Sequence, residues 1–132
     1  MSANRPTPDS SPGHPLPGVV VYQVGTDGSL NGRWAHQPRD AANADPNRPC
    51  TIGTETAVGG TPMEVVGTYD VTIRNEQEDI IYRGKLQISP AGEGLRLRWT
   101  GQDLPSFEGI GLRVTGDLLV ASYARSSDDA RQ

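Results

Sequence analysis

The sequence is short of nearly everything that carries conspicuous chemistry. It has one cysteine, Cys50, which excludes an internal disulfide and a cysteine-rich zinc site. Its two histidines, His14 and His36, are too few for a histidine-rich centre, so no metal site is expected. Acidic residues outnumber basic ones 16 to 12, and a formal charge of −4 argues against a general nucleic-acid binder. No apolar run approaches the roughly 18–20 residues of a membrane helix, so no membrane partner is expected. The chain lacks a Walker loop, a dinucleotide glycine fingerprint, an H-E-x-x-H and a G-x-S-x-G elbow, so no cofactor is expected either. Helical periodicity is missing as well.

What the chain does have is glycine and proline, 16 and 11 among 132 residues. That balance excludes a coiled coil or helical bundle and favours a turn-rich β protein. Five prolines fall in residues 1–17, which read as a flexible or polyproline-like arm, either solvated or laid over a pocket mouth or a neighbouring subunit. A homodimer is compatible with this arm. Residues 125–132 read as a polar tail, leaving 18–124 as one domain. The arm carries no apolar leader core after Arg5, and with the lone thiol this points to the cytoplasm. Eleven of the twelve basic residues are arginine, which hints at a GC-rich bacterial genome.

From Gly18 onward, apolar residues recur at every second position in short runs broken by turn residues, the signature of strands. Eight segments qualify: 19–24, 29–36, 50–57, 64–73, 79–88, 95–99, 107–114 and 117–123. Asp27-Gly28 marks the first hairpin; its resemblance to a calcium loop lacks the ligand series and the terminal glutamate. Short connections between successive strands favour an antiparallel meander, and eight strands can close into an up-and-down barrel without exposed edges. A two-sheet sandwich would give the same alternation. Inward glycines at 32, 67 and 84 favour the barrel, because close curvature needs small residues. One connection, 37–49, is long enough to be a lid or a plain insertion.

A faint internal repeat links Tyr22-x-Val24 and Leu30-x-Gly32 with Tyr69-x-Val71 and Tyr82-x-Gly84; two four-stranded halves or a reused hairpin would both produce it. From Gly67 on, G-T-Y-D-V-T-I, I-Y-R-G-K-L-Q-I, L-R-L-R-W, F-E-G-I-G-L and D-L-L-V-A-S-Y resemble small bacterial β proteins labelled fibronectin-binding. The resemblance covers about residues 64–123, with a weaker echo in 18–57, and its glycines and aromatics speak to fold more than to function. An adhesin of that kind would need a secretion signal. The eight-strand pattern also resembles calycin-type barrels, including lipocalins and avidins.

Three side chains are candidate acids or bases: His36, in register with Leu30 and Trp34 near the long loop, and the carboxylates of Glu55 and Glu108. A carboxylate turned into an apolar barrel would hold its proton and could donate it. Cys50, without a partner base, reads as an inert small residue. Candidate ligand contacts are Tyr22, Trp34, Tyr69, Tyr82, Trp99, Phe107 and Tyr123, because aromatic rings give a barrel an apolar wall and tyrosine adds a polar handle. Outside, Arg83, Lys85, Arg96 and Arg98 would cluster if strands five and six pair, as an anion site or as ordinary cross-strand pairs.

Three functions fit these residues. The first is a barrel binding a small, partly apolar molecule, the second a cofactor-free cyclase or isomerase using the same cavity. The third is an interaction module with a solid core. Cavity volume separates the third from the other two.

Overall fold

Each alternating segment becomes a strand. The computed structural model describes residues 18–37 and 50–126. It is all-β: β1 (Gly18–Val24), β2 (Leu30–His36), β3 (Thr51–Val58), β4 (Gly67–Arg74), β5 (Ile80–Ala91), β6 (Gly94–Gly101), β7 (Leu104–Thr115) and β8 (Leu118–Arg125). Every strand pairs antiparallel with its sequence neighbours, and β1 pairs with β8 from Gly18↔Tyr123 to Gln23↔Leu118. The meander is therefore a closed barrel, and the sandwich is excluded. The arm 1–17, most of the 37–49 connection and residues 127–132 lie outside the described residues.

The two ends of the barrel differ. At the closed end, residues 59–66 cross over the ring of Tyr69, whose hydroxyl donates to the Val65 carbonyl at 2.8 Å. A side chain at Gly60 would strike that ring 2.5 Å away, so only glycine lets the segment lie this close. The Arg113 guanidinium holds the plug in place, donating to the carbonyls of Pro62 and Met63 at 2.8 and 3.2 Å and to that of Gly116. Val65 is buried in this plug. The alternation beginning at residue 64 thus belongs partly to a loop, and β4 itself starts at Gly67. Above the plug, Val20, Tyr22, Leu30, Leu86, Leu97 and Leu119 are fully buried and fill the lower barrel.

At the open end, β1 begins, β2 finishes, and the β4–β5 and β6–β7 turns lie side by side with the end of β8. Here the strict alternation breaks. The β4–β5 register passes from Ile73↔Tyr82 to Arg74↔Ile80, so Ile81 is the extra residue of a bulge; it borders the mouth while remaining 49% exposed. Alternation places Ile80 inward; instead it is 43% exposed. Two further boundaries move. Pro90 and Ala91 belong to β5, with the turn made at Gly92 (φ 63°) and Glu93, while β7 starts three residues before Phe107, at Leu104. β8 runs to Arg125, and Ser126 is tied to the barrel by donation of its N–H to the Ser106 carbonyl at 2.8 Å.

The two copies of the internal repeat do not pair alike. Tyr22 faces Gly32 across β1–β2, whereas Tyr69 faces Leu86 across β4–β5 and Gly84 faces Val71. Gly32 leaves room for the Tyr22 ring, which a Cβ there would meet at 2.6 Å. Outside, the basic residues do not form one patch: Lys85 pairs with Asp70 on β4 and Arg98 with Glu108 on β7. Val19, Val21, Ile110, Leu112 and Val114 leave an exposed apolar strip on the outer face of β1 and β7, with β8 between them.

Candidate functional site

Above the packed lower barrel, the interior opens into a cavity of about 220 Å³. The solid-core expectation therefore fails at this end. Its wall is aromatic: Trp34 from β2, Tyr82 from β5, Trp99 from β6, Phe107 from β7 and Tyr123 from β8. Four of these rings meet edge to face in sequence. Tyr82 and Phe107 are 5.9 Å apart at 71°, Phe107 and Tyr123 6.2 Å at 82°, and Tyr123 and Trp99 5.9 Å at 62°. Such steep contacts satisfy the ring quadrupoles and make a box of rings, not a stack. The Trp34 ring lies against β3, because Gly53 has no side chain; a Cβ there would fall 2.2 Å from the indole. Its N–H donates to the Thr54 carbonyl at 3.1 Å.

Glu55, on β3, reaches the cavity floor and is 4% exposed. Two donors converge on one of its oxygens, Oε2: the Tyr22 hydroxyl, and the Trp99 indole N–H at 2.9 Å. No described residue donates to the other oxygen, Oε1. Burial pushes the carboxyl up to about 7, and the two donors hold it below where burial alone would take it. The phenols respond in the same direction. Burial, then the Glu55 charge, raise Tyr22 well above its usual value and also raise Tyr123, so both stay neutral donors.

His36 stands at the rim, stacked on Trp34 with centroids 5.4 Å apart and planes 9° from parallel. Its Nδ1 lies 2.6 Å from the Gln37 carbonyl, a contact that requires the proton on Nδ1 and, in the neutral ring, leaves Nε2 as an acceptor. The Tyr123 hydroxyl has no hydrogen-bond partner among the described residues. Among the described residues the wall thus offers one buried carboxyl, one free phenol and one imidazole, and no lysine or arginine.

Of the residues expected from sequence, His36, Glu55, Trp34, Tyr82, Trp99, Phe107 and Tyr123 meet at this cavity. Tyr22 lies beneath it as a donor to Glu55, with no contact to the open space. Tyr69 is at the closed end, under the plug, because it lies near the start of β4, which runs toward the mouth. Glu108 points outward on β7 and pairs with Arg98, so it is removed from the interior chemistry. Replacing it should be nearly silent: Glu108→Gln is expected to change stability by less than about 1 kcal/mol and cavity binding not at all, measurable by urea titration and tryptophan fluorescence. Cys50 is half-buried and unpaired before β3, outside the cavity wall. Asp27 is engaged by the Ser29 N–H and hydroxyl, at 3.0 and 2.7 Å, which holds its carboxyl below the usual range and makes it a turn residue.

Four further wall residues are not singled out by the sequence: Ile73, Ile81, Leu104 and Pro105. Bulges at the mouth place the last three, and alternation carries no trace of a bulge. No described group of three or more metal-ligating side chains comes together. No described helix is long and apolar enough to cross a membrane. No family model, curated protein or solved structure matches the chain.

Proposed function

We propose that the barrel binds a small, partly apolar molecule in the aromatic cavity. One observation carries the reading: Glu55 is buried at the floor of an apolar chamber, with one oxygen accepting two hydrogen bonds and the other accepting none from the described residues. Leaving a buried carboxyl half-partnered is unfavourable for folding alone, and a ligand polar group would complete its shell. The volume, about 220 Å³, is below the roughly 300–1,000 Å³ of drug-sized sites, so the ligand is compact. Native mass spectrometry of the protein from cell extract should retain an adduct, and Ile73→Phe, which fills the chamber, should lose it. Absence of any adduct across extracts and small-molecule libraries would overturn the reading.

The same carboxyl supports a second reading, a cofactor-free cyclase or isomerase. With Oε2 occupied by two donors, a proton held by Glu55 resides on Oε1, and its affinity near neutrality suits proton transfer in either direction. Substrate turnover that survives Glu55→Gln unchanged would remove this role. The unpaired Cys50 supports a reducing, cytoplasmic setting.

A further inference from the structure

We infer that the ligand is an organic cation, a compact protonated amine whose charged nitrogen lies between the ring box and the free oxygen of Glu55. This rests on the binding reading above and names the chemistry of its ligand. Three features of the chamber point the same way.

The first is charge. Among the described residues, Glu55 is the only acidic side chain in the wall, and no lysine or arginine accompanies it. A carboxylate or phosphate ligand would face a buried carboxyl in a low-dielectric site with no cation to offset it, and like charges brought together there repel strongly. A cation reverses that sign. The protein's net charge of −4 favours its approach as well.

The second is the rings. Tyr82, Phe107, Tyr123 and Trp99 meet with planes 62–82° apart, so their faces turn in several directions around one small space. Aromatic faces attract cations through the ring quadrupole, with tryptophan the strongest, and several rings around one ammonium is how quaternary nitrogens are held. A purely apolar ligand would be served equally well by aliphatic side chains such as Ile73, Ile81 and Leu104, which complete the wall.

The third is hydrogen bonding. Oε1 needs a donor, and the nearby free groups, the Tyr123 hydroxyl and His36 Nε2, would accept from a primary or secondary ammonium. An ammonium brings several donors and no acceptor, which is the complement of this set.

The test compares benzylamine, benzyl alcohol and benzoate, which share a ring and differ in the polar group, at about pH 8, where Glu55 is ionised. Binding is read from the fluorescence of Trp34 and Trp99, the chain's two tryptophans, both in the wall. Benzylamine is expected to bind about tenfold or more tightly than benzyl alcohol, and benzoate more weakly than either. Glu55→Gln should cut the amine's advantage over the alcohol by about threefold or more, leaving what the rings contribute. Equal binding of amine and alcohol by the unaltered protein, or an advantage unchanged by Glu55→Gln, overturns the cation and leaves the cavity reading standing. Tightest binding by benzoate does the same. If none of the three binds at millimolar concentration, the cavity reading falls and the cation with it.

Discussion

Raising the pH from 4.5 to about 8 is expected to destabilise the protein by about 3 kcal/mol, and Glu55→Gln is expected to abolish that loss. The Glu55 carboxyl releases its proton near 4.5 when the chain is unfolded and near 7 when folded, because burial disfavours the charged form. Between those values the native state binds more protons than the unfolded state, so stability falls as pH rises. The stabilisation is complete below 4.5 and gone above about 7; at about 1.4 kcal/mol per pH unit the interval amounts to about 3 kcal/mol. In a domain of this size that is a drop of about 10 °C in Tm.

Other groups near Glu55 do not imitate this slope. Tyr22 and Tyr123 are raised and stay neutral throughout, the Trp99 N–H does not titrate, and His36 at the rim is separated by His36→Gln. Asp27 is lowered from 3.8, so its slope has the opposite sign and lies at more acid pH. Urea titrations across the range check the prediction. A Glu55→Gln protein that is no more stable than the parent at about pH 8, or that keeps the slope, would place the ionisation elsewhere.

The strands were legible because alternation survives wherever one face is buried and the other wet. Tyr22, Trp34, Glu55, Leu86 and Trp99 all follow that rule, and the inward glycine at 32 correctly marked close packing, since it seats the Tyr22 ring. Which inward ring serves the cavity and which the core was not legible. Tyr69 and Tyr82 have the same local pattern, yet one is capped by the plug and the other reaches the mouth. The difference depends on strand direction and on where residues 59–66 cross, both products of the closed topology. Glu55 and Glu108 pose the same problem in polar form. Each is flanked by plausible strand residues, and only the register, Arg98↔Glu108 outside and Gly32↔Glu55 inside, separates them. The mouth was hardest, because bulges put Ile81, Leu104 and Pro105 where period-two reasoning cannot.

Tyr22→Phe is the second large effect, and its dependence on Glu55 is what makes it informative. Phenylalanine keeps the ring over Gly32 and removes only the hydroxyl that donates to Glu55 Oε2. At about pH 8 the carboxylate then loses one of its two donors inside an apolar site, and a hydrogen bond to a charged group is worth roughly 1.5–3 kcal/mol. At about pH 4 the carboxyl is neutral in both states, and the expected loss falls to about 1 kcal/mol or less. The missing donor also pushes Glu55 higher still, which widens the pH interval of the preceding prediction toward the alkaline side. Trp99→Phe should follow the same pattern with an added, pH-independent loss from the smaller ring in a nearly buried position. In a Glu55→Gln background Tyr22→Phe should become small and insensitive to pH, because the charge that made the donor valuable is gone. Were the loss equal at both pH values and in both backgrounds, the hydroxyl would be acting on the packing of β1 and not on the carboxyl. The floor of the cavity would then have no electrostatic design to offer a ligand.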